Sequence, residues 1–291
     1  MSVASAQTLA EALPEAELWF WRRDGLVQVC SRDVLMGHAR PFEVDLPVTG
    51  EPIGSLEVAL DRASREHRLL VLGLHGGMAE SGELAALCEA RGVHFAGAGS
   101  AASRLAFDKV AVAQTSLATP PTLTLASAPA GLATYGKLVA KPVADGSSYG
   151  LLFVESPDDL RTLGEVAQKE IYLIEPFMAD VEATCGVLEQ NGALIALPPV
   201  EISPADGVFD YAAKYLASTT HEICPVGFKG QVNAALQDAA VKAHAAIGAS
   251  GYSRSDFIVA GDRVIFLEIN TLPSLTRASL FPKELAAARP R

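Results

Sequence analysis

The residues best suited to chemistry lie near the C-terminus. Arg254 and Asp256 come before a short turn, and Glu268 and Asn270 come after it. Two apolar, β-branched runs flank an Ala-Gly-Asp turn, a pattern typical of a β-hairpin. Residues two apart share one strand face, and a three-residue turn would place Asp256 diagonal to Glu268 with Arg254 directly across from it. Oxygen ligands at this density suit a hard cation such as Mg²⁺, and a solvated outer face is the alternative.

A lysine and a glycine-rich loop farther upstream could hold phosphate. The Lys141 side chain is a charged group on a predicted apolar strand. Residues 146–150 follow, with Ser147 and Ser148 between glycines. Backbone N–H groups in such a loop can cradle phosphate oxygens while a nearby lysine neutralises them. The order of residues differs from that of a Walker loop, and a plain turn is the alternative.

Acidic and aromatic residues add candidate ligand contacts. Glu175 and Glu182 could accept hydrogen bonds from an adenine amino group and a ribose, or could be ordinary surface acids. Residues 209–215 place three aromatic side chains, an Asp and a Lys in a predicted loop that offers no obvious core to fill. His75 ends an apolar strand before two glycines, where open α/β sheets bind ligands, although a lone His is more often structural.

The bulk composition argues against several classes of protein. The chain has 291 residues and a formal net charge of −11, which disfavours a general binder of nucleic acid or anionic membranes. No apolar run has the length of a membrane span and no signal peptide is evident, so we predict a cytoplasmic protein. The four cysteines are far apart, which argues against structural zinc and a disulfide framework. Without a recognisable nucleophile elbow, the predicted chemistry is phosphoryl transfer.

The elements that must position these residues follow from the hydrophobic pattern. Residues 68–75 form a continuous apolar run typical of a buried parallel strand, and βα alternation predicts an α/β first lobe. A helix is predicted from Ser100 to about Leu117. Later elements are strands over 137–142, 151–155 and 171–177, a helix from Pro157, a hairpin at Asn191-Gly192 and an alanine-rich helix over 230–249.

Taken in order, these motifs resemble the D-alanine–D-alanine ligases of the ATP-grasp superfamily. The similarity runs from about residue 2 to residue 285 and keeps the order and spacing of the motifs. The resemblance implies a three-lobed ATP-grasp fold of α/β and α+β class, whose α/β N-terminal lobe lacks its first strand. The lobes would cover residues 1–107, 108–182 and 183–291. The motifs lie at residues 74–76, 107–109, 141–150, 175–182, 209–215, 254–256, 267–271 and 279–280.

The resemblance also implies roles for the matching residues. Asp256, Glu268 and Asn270 would hold two Mg²⁺ ions, or Mn²⁺, and Arg254 would stabilise charge on the reacting groups. ATP would be bound by Lys109, Lys141, Ser148, Glu175, Phe177, Glu182 and Lys214. Ser147 and Tyr215 would orient active-site groups, and His75 would lie near the first D-alanine. The second D-alanine would be contacted by Ser279 and Leu280, with a backbone N–H near Ser274 stabilising the oxyanion.

The implied activity is the ATP-dependent ligation of two D-alanines, through an acyl phosphate, for peptidoglycan synthesis. The implied partners are small molecules and a second copy of the chain. A Lys-Tyr pair, here Lys214 and Tyr215, accompanies an amine as second substrate in this family.

Several positions depart from the family pattern. The family begins with a strand and a Gly-rich loop whose Glu holds the first ammonium, whereas this chain opens on what resembles the following helix, so we expect the natural start to lie upstream. Ser274 stands where the family has Gly, and a positive φ there would be strained. Two alternatives therefore stay open: an ATP-grasp ligase for other amino or carboxylic acids, and an ATP-binding homologue without ligase activity.

Overall fold

The computed structural model describes residues 1–113, 117–143, 150–204 and 220–288, and within them the strands form four sheets. Strands and helices are interspersed along the chain, and the strands between residues 172 and 204 follow one another without a helix. No helix in these ranges is both long enough and apolar enough to cross a membrane.

The N-terminal part contains two small sheets. Strands β1, β2 and β3 form an antiparallel sheet that the sequence patterns did not predict, and β4 pairs with β5 in parallel. The elements are α1 (Ser2–Ala12), β1 (Leu18–Trp21), β2 (Leu26–Cys30), α2 (Arg32–Met36), β3 (Pro52–Ser55), α3 (Leu56–Arg65), β4 (Leu69–Val71), a 3₁₀ turn (Gly77–Ala79), α4 (Glu83–Glu89), β5 (His94–Ala96) and α5 (Ser100–Phe107).

The apolar run at residues 68–75 is less buried than its composition predicts. Only Leu69–Val71 are strand, and the Leu69 side chain is 65% exposed. Leu70 packs into the cluster beneath α3 and α4, whereas Leu69 and Val71 point to the opposite face. Among the described strands β4 pairs with β5 alone. The prediction of a parallel strand was therefore right, and the prediction that this strand is buried was wrong. Among the described residues, only one face and one edge of β4 are covered.

The helix predicted from Ser100 to about Leu117 is divided at Asp108. Helix α5 ends at Phe107, Asp108 is extended with ψ 97°, and α6 (Lys109–Ala113) begins beside it. The Asp108 carboxylate accepts hydrogen bonds from the N–H groups of Val110 and Ala111, both at 3.0 Å. Asp108 therefore caps a new helix by accepting hydrogen bonds from N–H groups of its first turn, as Asp commonly does at helix starts. The break places Lys109 at that start.

The central part agrees with the predicted α+β arrangement. Strand β6 lies between β7 and β8 and is antiparallel to both. Helix α8 begins at Pro157 behind a capping box formed by Ser156 and Asp159. The elements are α7 (Ala128–Tyr135), β6 (Leu138–Pro142), β7 (Leu152–Val154), α8 (Pro157–Val166) and β8 (Tyr172–Pro176).

The C-terminal part is built on a six-stranded sheet. Its strand order is β12-β11-β9-β13-β14, with β10 also paired to β9 through the predicted hairpin at Asn191. The elements are β9 (Val181–Gln190), β10 (Ala193–Ala196), β11 (Val200–Pro204), β12 (Thr220–Ile223), α9 (Gly230–Ala246), β13 (Tyr252–Ala260), β14 (Arg263–Asn270) and α10 (Leu280–Ala287).

One face of this sheet packs against α9 and forms the largest buried apolar cluster among the residues that the structure describes. Phe257 and Phe266 are fully buried against α9, with their ring centroids 5.8 Å apart. Ala106 of α5 joins the same core, so the end of the predicted first lobe packs on the C-terminal sheet. Side chains alternate along a strand, and the packing of Phe257 against α9 therefore turns Arg254 and Asp256 toward the opposite face.

Candidate active site

The hairpin of β13 and β14 brings the four predicted polar residues onto one face. Asp256 pairs directly with Glu268, and Arg254 pairs with Asn270. The predicted register was wrong: Ala260 pairs with Arg263, which leaves a two-residue turn, and a bulge next to Asp256 adds one residue to β14. Gly261 has a φ of +64°, which permits the tight turn. The two differences add up to a shift of two residues, which is one full strand period, so the predicted shared face is kept.

Arg254 and Asp256 form a buried, bidentate ion pair. The Arg254 Nε and Nη2 atoms each donate to a carboxylate oxygen of Asp256 at 3.0 Å. Only 15% of the Arg254 side chain is exposed. Burial opposes the charge of Arg254, but the ion pair and hydrogen bonds with Asp256 outweigh it and raise the guanidinium pKa. The guanidinium is therefore held charged and oriented by its neighbours.

Lys109 supplies a second cation to the same face. Its Nζ lies 4.0 Å from Glu268 Oε2, and its side chain is largely buried. The two carboxylates of the hairpin thus each face a positive side chain, although α6 and β14 are far apart in the chain. This pairing balances the charge that two neighbouring carboxylates would otherwise concentrate in one place.

The donor set on this face fits a hard cation. Asp256, Glu268 and Asn270 offer oxygen ligands, which are the ligands that Mg²⁺ prefers. Asn270 Oδ1 accepts a hydrogen bond from the Leu272 N–H at 2.8 Å, which fixes the orientation of the carboxamide. Over the described ranges, no three His, Cys, Asp or Glu side chains gather as a metal site. Metal binding here would therefore depend on two carboxylates and one carboxamide.

The central sheet carries a second buried ion pair. Lys141 on β6 and Glu175 on β8 share one face, because Val139 pairs with Glu175 and Lys141 with Leu173. The Lys141 Nζ lies 2.8 Å from Glu175 Oε2, and the Glu175 side chain is only 3% exposed. Two residues assigned by resemblance to opposite ends of ATP are thus in direct contact here.

Removing the lysine of this pair should destabilise the protein. Lys141→Met would leave the Glu175 carboxylate buried without its cation, and we expect a loss of about 3–5 kcal/mol in the free energy of unfolding, measured with urea. The double variant Lys141→Met/Glu175→Gln should recover most of that loss, since neither charge remains. Equal stability of Lys141→Met and the natural protein would contradict a structural role for the pair.

Phe177 belongs to a cluster around a further lysine. The Lys137 Nζ lies 4.5 and 4.4 Å from the ring centroids of Phe153 and Phe177. The Phe177 N–H donates to the Lys137 carbonyl at 3.0 Å, so this amide is already used within the protein. Glu182 is buried near the start of β9, between Ile202 and Ile258 on the neighbouring strands.

His75 is joined to two distant segments through Ser5. The Ser5 hydroxyl lies 2.9 Å from His75 Nε2 and accepts a hydrogen bond from the Leu275 N–H at 3.2 Å. Burial lowers the pKa of His75 to about 4, so the imidazole is neutral at pH 7. His75 Nδ1 lies 3.9 Å from a Glu80 oxygen. Ser5 was missed by the sequence analysis, because a serine on a helix gives no signal for contacts so far along the chain.

The segment after Asn270 contains the remaining described candidates. Ser279 directly precedes α10, whose first residue is Leu280, but its side chain does not cap that helix. Its hydroxyl instead lies 2.8 Å from the Ser274 hydroxyl and 2.6 Å from that of Thr276. The expectation of strain at Ser274 was wrong: among described residues other than glycine, positive φ occurs at His67 and Asn191.

Glu284 on α10 is a buried acid that the sequence analysis missed. It is fully buried. It lies over Gly186, where a Cβ would come within 2.4 Å of its Oε2. Burial raises the pKa of Glu284 to about 8. The sequence did contain a signal for this residue, because Glu284 is a single Glu within an otherwise apolar helix face.

Four predicted site residues lie outside the described ranges. They are Ser147, Ser148, Lys214 and Tyr215.

Comparisons with known proteins agree with the resemblance seen in the motifs. Residues 132–289 match the family model described as the C-terminus of D-ala D-ala ligase. The D-alanine–D-alanine ligase of Nitratidesulfovibrio vulgaris strain DP4 is 37% identical over 273 residues, which cover 88% of each protein.

Solved structures share the fold. A D-alanine–D-alanine ligase from Bacillus anthracis complexed with ATP is 27% identical, with a TM-score of 0.66 over 80% of this chain and 78% of that one. A D-Ala:D-Ser ligase from Enterococcus faecalis has a TM-score of 0.77 at 24% identity, over 98% of this chain and 90% of that one. The predicted ATP-grasp fold class is confirmed by these neighbours.

Proposed function

The chain belongs to the D-alanine–D-alanine ligase family, and we propose that it uses ATP to join two D-alanines into D-alanyl-D-alanine for peptidoglycan. The observation that carries this proposal is the β13–β14 face, where Asp256 and Glu268 lie opposite each other and each faces a cation. A ligase of this kind needs such a face, because negative charge must be neutralised around the transferred phosphoryl group.

ATP would be held by lysines and acids from the central and C-terminal sheets. Lys109 and Lys141 would contact phosphates, together with Ser148 and Lys214. Because Lys141 is paired with Glu175, phosphate would compete with that carboxylate for the lysine. Adenine and ribose would be bound by Glu175, Glu182 and the backbone near Phe177.

Magnesium would be bound on the hairpin face. Asp256, Glu268 and Asn270 would hold two Mg²⁺ ions, with Mn²⁺ as a substitute, because all three provide oxygen ligands. When bound, the ions supply positive charge to the phosphates. Arg254 and Lys109 already offset the same carboxylates, so they would share the task of balancing charge.

The reaction would proceed in two steps. A carboxylate oxygen of the first D-alanine attacks the γ-phosphorus of ATP, which gives an acyl phosphate and ADP. The amine of the second D-alanine then attacks the acyl carbon, phosphate leaves, and the peptide bond is formed. Arg254 would stabilise the oxyanion, because its guanidinium retains N–H donors beyond the two that bond Asp256.

Orientation of the substrates would depend on the remaining candidates. Neutral His75 would lie near the first D-alanine, and Ser147 and Tyr215 would orient active-site groups. Ser279, Leu280 and a backbone N–H near Ser274 would meet the second D-alanine. Ser5 would hold His75, since its hydroxyl lies 2.9 Å from the imidazole.

The organisation of the protein is also a proposal. We divide the chain into lobes at residues 1–107, 108–182 and 183–291, with ATP between the second and third. A cytoplasmic location and a homodimeric state stay predictions. Sedimentation of the purified protein would test the oligomeric state.

The function can be tested with purified protein, ATP, Mg²⁺ and a panel of D- and L-amino acids. We expect D-alanine to give ADP and D-alanyl-D-alanine in equal amounts, with the product identified by mass spectrometry. The Asp256→Asn variant is the control for contaminating ligases and should release little ADP. ADP release with other acids but not D-alanine would favour a ligase of different specificity. Thermal stabilisation by ATP without ADP release from any pair would favour a non-catalytic homologue.

A further inference from the structure

The strand β9 leaves an open space beside Arg254. Arg254 pairs directly with Asn270 on β14 and with Gly186 on β9, so these residues form a row across the sheet. Directly paired residues of antiparallel strands point to the same face, with Cβ atoms about 4.5–5.5 Å apart. Because Gly186 has no side chain, β9 itself places nothing next to Arg254 on that side. A glycine within a strand often marks the close approach of another group.

Helix α10 fills this space with two side chains. A Cβ on Gly186 would lie 2.4 Å from Glu284 Oε2 and 2.8 Å from two ring atoms of Phe281. Both side chains are buried, and the Phe281 ring packs on Tyr252 with centroids 5.6 Å apart. Tyr252 shares its strand face with Arg254, since the two are two residues apart on β13. The Glu284 carboxyl therefore occupies the place of the side chain that Gly186 lacks.

This space matters for the orientation of Arg254. Two of its N–H groups bond Asp256 at 3.0 Å, and its further donors are those proposed to meet the reacting group. An arginine side chain has many rotamers, so an empty space over Gly186 would let the guanidinium turn away from Asp256. Glu284 also lies within reach of the arginine's charge: burial raises the pKa of Glu284, and the positive Arg254 opposes that rise.

We propose that Glu284 is a positioning residue that acts on the reaction through Arg254. Its carboxyl, placed over Gly186 by α10, blocks the space into which the guanidinium would otherwise turn. Glu284 is fully buried, so it does not touch a substrate itself. Helix α10 begins at Leu280, which we propose meets the second D-alanine, so one helix would join the acceptor site to the arginine. Because the task of Arg254 is part of the proposed ligation, this role rests on that function.

The test is steady-state kinetics of Glu284→Ala, which opens the space, and of Glu284→Gln, which keeps it filled. Glu284→Ala should lower kcat roughly tenfold to a hundredfold, as expected when a catalytic group is displaced by about 1 Å. The Michaelis constant for ATP should not change, and Glu284→Gln should retain most of kcat. Glu284→Asp withdraws the carboxyl by one methylene and should lower kcat less than Glu284→Ala does. This milder variant carries the test if Glu284→Ala does not fold.

A double-mutant cycle shows whether the effect passes through Arg254. In an Arg254→Lys background, Glu284→Ala should lower kcat little further, because the guanidinium that Glu284 positions is already gone. An equal loss of kcat in both backgrounds would overturn the role. So would a folded Glu284→Ala variant whose kcat stays within about threefold of the natural value, whether or not its thermal stability falls.

The matched control is a glutamate outside this contact. Glu165→Ala removes an exposed side chain on α8 and should leave every kinetic constant unchanged. If the natural protein forms dipeptide and the cycle shows no coupling, the role of Glu284 alone is overturned. Failure of the natural protein to form any dipeptide would overturn the proposed ligation and, with it, this role.

Discussion

Replacing Arg254 by lysine should lower kcat roughly a hundredfold to a thousandfold, the loss typical of one misplaced donor to a developing oxyanion. Lysine keeps the positive charge but has no planar fork, so it cannot bond both oxygens of Asp256 and still direct N–H groups at a substrate. In the natural protein both bonds measure 3.0 Å and the side chain is largely buried. The loss should therefore appear in turnover more than in ATP affinity.

The measurement is ADP release at saturating ATP, together with ATP affinity by calorimetry. Arg263→Lys is the matched control, because Arg263 is an exposed arginine on the same hairpin, and it should leave turnover unchanged. Thermal unfolding of both variants separates misfolding from a catalytic defect. Turnover of Arg254→Lys within threefold of the natural protein would contradict a role for the guanidinium fork.

The second large effect concerns stability and pH at Glu284. Burial raises its pKa from 4.5 to about 8, partly opposed by the nearby charge of Arg254. Between these pH values the unfolded chain releases the proton while the folded protein keeps it. The free energy of unfolding therefore falls as pH rises through this window, by roughly 5 kcal/mol from this residue. The contribution is fully present below pH 4.5 and is lost above about pH 8.

Glu284→Gln should remove this dependence. Glutamine keeps the shape of the protonated acid and cannot ionise, so the variant should be more stable than the natural protein at pH 8 and similar at pH 5. Urea unfolding at pH 5, 6.5 and 8 measures the difference, and groups that do not interact with Glu284, such as His75, cancel in the comparison.

The matched control for Glu284 is an exposed acid. Glu165→Gln on α8 removes a carboxylate at the surface and should keep the pH slope of the natural protein. If Glu284→Gln also keeps that slope, the carboxyl of Glu284 does not retain its proton in the folded protein.

The alternation of side chains along strands made the hairpin face predictable. Asp256 and Glu268 were expected on one face from a two-residue period, and the face survived errors in both turn length and register. The turn is one residue shorter than predicted and the bulge adds one residue, so the register shifts by two residues and the side chains stay on the same face. The strands and helix around Lys141 were also predicted, since each depends on neighbours within a few residues.

Burial was less predictable than secondary structure. Leu69 lies in an apolar run yet is largely exposed, whereas Glu284 has an ionisable side chain yet is fully buried. Both outcomes depend on which elements pack against them, and those elements come from other parts of the chain. The break at Asp108 is different, because Asp is a common helix cap and the signal was present in the sequence.

The sequence by itself determined the elements of the central part, the polar face of the hairpin and the family to which the chain belongs. The tertiary structure alone decided which polar groups meet: Lys109 with Glu268, Lys141 with Glu175, and the Ser5 hydroxyl with both the His75 ring and the Leu275 N–H. The physical reason is distance along the chain. Strand and helix patterns arise from neighbours within a few residues, whereas these contacts join residues 34 to 270 positions apart, and only the packed fold brings them together.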